Sequence, residues 1–138
     1  MSSEYKEVDV TEIQNIINTK LKNRLVSSKA REAVYLKMLI KIIVKNHVER
    51  KEYWIFHGRE RDYMIIPGVL CTCKDFLIHV VPQQTKRTCY HLEAQALAEQ
   101  TSKYRILHLD EQTMNTILIE ILKNEYSPTL RRILISRK

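Results

Sequence analysis

The stretch that decides the fold is CTCKDFLIHVVPQQTKRTCYH, residues 71–91, which begins with Cys71-Thr72-Cys73 and ends with Cys89-Tyr90-His91. The pattern is C-x-C, fifteen residues, then C-x-H, and it contains all three cysteines of the chain. Two pairs of soft ligands joined by a loop suit a tetrahedral Zn²⁺ site. An odd number of cysteines argues against a simple disulfide framework. The sequence therefore predicts one Zn²⁺ held by Cys71, Cys73, Cys89 and His91; the alternative is three buried or reactive thiols beside an unrelated histidine.

The one-residue gap within each ligand pair is unusual, since common zinc fingers use C-x₂-C or wider pairs. C-x-C followed by C-x-H resembles the SWIM zinc finger, and the resemblance covers about residues 40 to 100. Strand-like sequence precedes the first pair, and helical sequence follows His91. The resemblance implies a small zinc-binding ββα unit.

The second ligand pair extends to C-x-H-x-x-A through Ala94. This extended form is similar to the SWIM-domain subunit of Shu complexes, which act in homologous recombination. The resemblance implies a partner that is a paralog of the RecA-family recombinases. Ala94, Leu97 and Ala98 share one helix face, and a methyl-sized side chain at 94 lets another element approach closely. That element is either a partner protein or the chain's own sheet.

The sequence on both sides of the ligand pairs predicts an α+β fold. Apolar residues at helical spacing predict a helix over about residues 9–25, and β-branched runs predict strands at 40–48, 52–57 and 62–66 that form a small antiparallel sheet. Residues 92–100 and two C-terminal segments, which begin after Asp110 and Ser127, are helical by pattern, with a short strand at 104–109 between them. The 138 residues suit a single domain, 1–138, with a helical segment at 1–39, the zinc finger at 40–100 and a second helical segment at 101–138.

The formal charge of +7 is unevenly distributed, because residues 20–51 contain ten basic and two acidic side chains. A one-sided basic segment is typical of contact with nucleic acid or an acidic protein; the alternative is a solvated helix face. An alternative role for Lys74, Lys86 and Arg87 is to offset the negative charge of a three-thiolate zinc site. The candidate nucleic-acid-binding residues are Lys41, Lys45, Arg59, Arg61, Lys86 and Arg87.

The sequence argues against several function classes. Four good ligands describe a closed structural site, whereas catalytic zinc keeps an open position, and two glycines in the whole chain argue against a Gly-rich phosphate loop. We therefore expect no enzyme activity and no small-molecule substrate. With neither a membrane span nor a signal peptide expected, the protein should be intracellular, in the cytoplasm of a prokaryote or the nucleus of a eukaryote. The expected function is a zinc-binding adaptor that partners a RecA-family recombinase paralog in DNA repair by recombination, acting on DNA directly or through that partner. The alternative is a stand-alone nucleic-acid-binding zinc module.

Overall fold

A computed structural model describes residues 10–22, 24–77 and 88–136. Within these residues helices flank a sheet in an α+β arrangement, as the sequence predicts. The elements are α1 Val10–Lys22, α2 Ser28–Tyr35, β1 Leu39–Lys45, β2 Arg50–His57, β3 Asp62–Ile66, β4 Leu70–Cys71, α3 Tyr90–Thr101, β5 Arg105–Leu109, α4 Glu111–Asn124 and α5 Pro128–Ser136.

The strands form one sheet in the order β4-β3-β2-β1-β5. Strands β1 to β4 pair antiparallel, with Ile42 opposite Tyr53 and Ile55 opposite Met64. β1 to β3 are the predicted antiparallel strands, and β4 is a short additional strand that the sequence does not predict. β5 adds a parallel neighbour on the far side of β1, with Ile42 opposite Leu107. A parallel neighbour needs a long crossover connection, and α3 lies in that connection.

The two faces of the sheet are covered by different helices. One core cluster joins the first three helices to side chains such as Leu39, Trp54 and Phe56. The other joins α4 and α5 to the opposite face, which includes Ile40 and Ile55. β1 is consequently buried on both faces. The alternation of apolar residues with Lys41 and Lys45 predicts a strand with only one buried face, and that prediction is wrong.

Side-chain caps fix the starts of α2, α4 and α5, and the sequence indicates the last two of these. The hydroxyl of Ser27 accepts a hydrogen bond from the Ala30 backbone N–H at 3.2 Å and begins α2. Asp110 caps α4 by accepting from the Thr113 N–H, and Ser127 caps α5 by accepting from the Leu130 N–H at 3.0 Å. Each cap satisfies a backbone donor that has no partner inside its helix. Within the described residues, the helices lack the combination of length and apolar composition that crossing a bilayer requires.

Candidate metal centre

The two ligand pairs lie where a strand ends and a helix begins. Cys71 is the last residue of β4, and Cys73 follows two residues later. Cys89 is the N-cap of α3, and His91 lies in the first turn of that helix. A turn at Gly68, whose φ of 69° favours glycine, reverses the chain between β3 and β4 and brings the first pair towards the second.

The four ligand atoms lie within 4.8 Å of one another. The Cys71 Sγ and His91 Nδ1 atoms are 3.8 Å apart. Tetrahedral bonds of about 2.3 Å to sulfur and 2.0–2.1 Å to nitrogen would separate two such ligands by about 3.6 Å. All four residues are buried, and the three cysteines are not joined in disulfides. Donor type, number and spacing therefore fit a closed four-ligand metal site.

A surrounding layer of contacts orients the ligands. The Phe76 backbone N–H donates to the Cys73 Sγ at 3.3 Å. Between the first two cysteines, Thr72 accepts from the Met64 N–H through its hydroxyl at 3.0 Å and donates its own N–H to the Met64 carbonyl at 3.1 Å. These bonds hold the first ligand pair against β3, so little conformational freedom remains to be lost when a metal binds.

Aromatic rings enclose the imidazole of His91. Its ring centroid lies 4.4 Å from that of Phe56, 4.9 Å from that of Tyr63 and 4.1 Å from that of Tyr90. Rings from β2, β3 and α3 thus fix the plane of the imidazole and limit its exposure to water. Tyr63 lies in β3, well before the first ligand pair, so the spacing of the ligands in the sequence does not connect it with the metal site.

The thiols differ in their affinity for protons. Hydrogen bonds from Cys71 and Cys89 lower the pKa of Cys73, whereas the hydrogen bond with Cys73 raises the pKa of Cys71. Of these two thiols, Cys73 therefore gives up its proton more readily and Cys71 holds its proton more strongly. Binding of a metal must displace such protons, so metal affinity rises with pH.

Glu93 is a functional candidate that the sequence analysis missed. It lies two residues after His91, and only 3 % of its surface is exposed. Its carboxylate accepts from Lys20 Nζ at 3.0 Å and from the Ser27 backbone N–H at 3.3 Å. One side chain thereby connects the start of α3 to α1 and to the cap of α2. The available signal was a charged residue between Leu92 and Ala94 in an apolar helix.

Apart from Lys41, the candidate nucleic-acid-binding residues within the described part of the chain lie at the two ends of β2: Lys45 pairs with Arg50 at its start, and Arg59 and Arg61 lie in the turn after its end. Lys45 and Arg59 are exposed, and Arg61 forms an ion pair with Glu125. Lys86 and Arg87 lie outside the described residues. The segment near residue 59 is about as acidic as it is basic, because Glu60 and Glu125 line the same groove as Arg59 and Arg61.

Lys41 differs most from its predicted environment. Its side chain is 16 % exposed and forms an ion pair with Glu52 at 3.2 Å. Its ammonium group lies 5.8 Å from the ring centroid of Trp54 and 5.9 Å from that of Tyr104. Its place among the candidate nucleic-acid-binding residues predicts that Lys41 faces solvent, and this prediction is wrong because β1 is a central strand and Tyr104 covers this side of it.

The residues proposed for a partner interface belong instead to this chain's own core. Ala94 and Ala98 are fully buried, and Leu97 is partly buried beside them. They share a cluster with Ala30 and Ala33 of α2. Of the two alternatives, intramolecular packing therefore accounts for the small side chain at 94.

No protein-family model matches the sequence, and no curated protein or solved structure shows significant similarity to it.

Proposed function

We propose that the chain binds one Zn²⁺ through Cys71, Cys73, Cys89 and His91 and uses it as a structural ion. The observation that supports this most directly is the convergence of three buried thiols and one imidazole nitrogen within 4.8 Å. Thiolate and imidazole ligands in tetrahedral geometry are typical of zinc. Bound zinc would cross-link the end of β4 to the start of α3.

We further propose that the site is not catalytic. Four protein ligands fill a tetrahedral shell, so substrate or water would have to displace a ligand before the metal could activate it. The rings of Phe56, Tyr63 and Tyr90 around His91 oppose such a displacement. The role of the metal is then to stabilise the fold.

We propose an adaptor function in homologous recombination, with a RecA-family recombinase paralog as the partner. The support is the spacing C-x-C, C-x-H-x-x-A, with its cysteines and histidine at one centre. Since Ala94 is internal, the docking surface must lie elsewhere. Ile119 and Leu122, neighbours on α4, are 53 % and 60 % exposed. They offer an apolar helix face of the kind that a protein partner covers.

A second candidate, direct nucleic-acid binding, is favoured by the basic segment. Four of its ten cationic side chains form ion pairs: Lys20, Lys41, Arg50 and Lys51. The other six are exposed: Lys22, Arg24, Lys29, Arg31, Lys37 and Lys45. These exposed charges could contact phosphates without any partner. Both proposed functions imply an intracellular protein that acts where nucleic acid is present.

The first experiment measures the metal. Native protein should contain one zinc per chain by elemental analysis, and His91→Ala should lose it, with His47→Ala as the matched control because His47 is exposed. Structural zinc contributes about 10–16 kcal/mol in finger peptides, which is comparable to the whole stability of a domain. His91→Ala should therefore lose much of its helical signal. A native protein without metal, or a His91→Ala variant that melts like His47→Ala, would contradict the zinc proposal.

The second experiment separates adaptor from nucleic-acid module. In a pull-down with mass spectrometry, Ile119→Glu with Leu122→Glu should lose the recombinase paralog yet keep zinc and the wild-type melting temperature. The control is Lys123→Glu, an exposed change on the same helix. If the double variant retains the partner, α4 is not the docking surface; if wild type captures no recombinase paralog and binds DNA alone, the second candidate function is correct.

A further inference from the structure

A groove on the α5 side of the sheet is lined mainly by basic and aromatic side chains. Its volume is about 540 Å³, within the range of small-molecule sites. It is separate from the metal centre, since no metal ligand lines it. The described residues that line it are His57, Arg105, Tyr126, Arg131, Leu134 and Ile135, and none of these is acidic.

The guanidinium group of Arg131 is held rigidly at one wall. It donates to the carbonyl oxygens of Arg59 at 3.0 Å and Gly58 at 2.8 Å, and to both oxygens of Asp62 at 3.1 and 3.0 Å. Its central carbon lies 4.4 Å from the ring centroid of Tyr126. The stacked arginine therefore fixes the position of the tyrosine ring, which remains 40 % exposed.

The imidazole of His57 is oriented by the same carboxylate. Its Nδ1 lies 2.8 Å from Asp62 Oδ1, so the ring is fixed through one nitrogen and the Nε2 atom is the other polar position. Arg105 is the first residue of β5, on the sheet face that also presents Leu107 to α4 and α5. Asp62 thus orients both His57 and Arg131 and offsets the charge of Arg131, while Arg105 adds a second cation to a lining without acidic residues, which favours an anion in the groove.

We propose that this groove binds a nucleotide, with the phosphate beside Arg105 and His57 and the base on the ring of Tyr126. Arginine suits phosphate because its planar group donates two parallel hydrogen bonds. Every base has a face that stacks on an aromatic ring, and Ile135 adds an apolar border. The same chemistry is present in a free nucleotide and in a single strand. The proposed nucleotide site includes none of the zinc ligands, so this proposal does not depend on the zinc proposal.

The test uses the full chain with its bound metal and two probes at low salt. Binding of AMP is measured by calorimetry, and binding of a fluorescein-labelled dT₁₀ strand is measured by fluorescence anisotropy. Tyr126→Ala should weaken binding about fivefold to a hundredfold, the usual effect of losing one stacking partner. Arg105→Gln should weaken it about tenfold or more, through loss of a charged hydrogen bond. The matched control is Arg132→Gln, because Arg132 is an exposed arginine beside Arg131 on α5 and does not line the groove.

The pattern of losses identifies the ligand. Binding of AMP that both groove variants weaken assigns a free nucleotide, and binding of dT₁₀ alone assigns a strand. Failure of both probes to bind wild type, or equal binding by Arg105→Gln and Arg132→Gln, would overturn the proposal. Inorganic phosphate that competes as well as AMP would overturn the stacking of the base. Melting temperature and zinc content are measured for each sample. If Arg105→Gln fails to fold, Arg105→Lys takes its place. Loss of zinc from a sample counts only against the proposed metal centre.

Discussion

Replacement of Asp62 with asparagine tests whether one buried carboxylate holds α5 to the sheet. Asp62 is fully buried at the start of β3. Its Oδ2 accepts from the Ser127 backbone N–H at 2.9 Å and from Arg131 Nε at 3.1 Å. Its Oδ1 accepts from Arg131 Nη2 at 3.0 Å and lies 2.8 Å from His57 Nδ1. The amide keeps the shape of the side chain but removes its charge and turns one acceptor into a donor.

The expected loss is large because the charge of Arg131 would remain. Breaking a buried ion pair by removal of one partner costs about 3–5 kcal/mol. The Arg131 side chain is 17 % exposed, so water partly screens it. We therefore expect a loss of about 3 kcal/mol, the lower end of that range. For a domain of this size, that corresponds to a drop in melting temperature of about 10 °C.

The assay is thermal unfolding of metal-loaded protein followed by circular dichroism. Asp110→Asn is the control, since Asp110 is an exposed aspartate that caps α4 and asparagine is an equally good N-cap. The control should melt close to wild type. A variant at Asp62 that melts with the control would refute the reasoning and show that the hydrogen-bonded network contributes little.

The same residue makes the stability depend on pH. Burial by itself would raise the pKa of Asp62, but hydrogen bonds from His57, Ser127 and Arg131 outweigh burial and hold that pKa below its ordinary value. A lowered pKa in the folded state stabilises the fold fully above the unfolded-state pKa of about 3.9, and this contribution disappears as the pH falls towards the folded-state pKa. The difference in melting temperature between wild type and Asp62→Asn should therefore narrow below about pH 4. A difference in melting temperature that stays constant with pH would contradict the lowered pKa assigned to Asp62.

Three further predictions concern the backbone, the core and the basic segment. Lys37 follows α2 with a φ of 55°, so Lys37→Gly should raise stability by about 0.5–1 kcal/mol in a denaturant titration; a decrease would contradict the cost assigned to this conformation. Ala94→Leu should lower stability by about 1–3 kcal/mol because Ala94 is fully buried, whereas Ala96→Leu, at a partly exposed position, should cost less; equal melting temperatures would refute this. If the basic segment binds DNA, log–log plots of affinity against salt should have a slope of about −0.9 per phosphate contacted, and Lys45→Glu should weaken binding without unfolding. A flat salt dependence would refute direct binding, and Lys41→Glu is a poor test because it would also break the ion pair that this partly buried lysine forms with Glu52.

The parts of the structure that the sequence predicts are those set by local chemistry. The spacing of Cys71, Cys73, Cys89 and His91 alone indicates a shared centre, and their side chains converge. The start of α4 follows from Asp110 and the apolar spacing after it, because a cap and a stripe both lie within a few residues. Such features need no knowledge of what packs against them.

The features that the sequence analysis missed depend on distant residues. The environment of Lys41 is set by Tyr104, which reaches β1 only because β5 pairs there, more than sixty residues later. Alternation of apolar and polar residues describes a strand with one wet face, so it fails for a central strand with helices on both sides. Glu93 was missed for a similar reason, since its partners, Lys20 and Ser27, are far away in sequence.

If the cluster holds zinc as proposed, the position of its ligands implies that the helices on the two faces of the sheet depend on the metal unequally. Cys89 and His91 fix the first turn of α3, and Glu93 in the same turn connects that helix to α1 and α2. Loss of the metal should therefore loosen the helices on that face together. The α4 and α5 face has its own polar connections, through Asp62 and through Glu120, whose carboxylate accepts from the Ser127 hydroxyl at 2.7 Å and the Thr129 N–H at 3.1 Å. Neither set of bonds involves a metal ligand, so this face has a source of stability that does not depend on zinc.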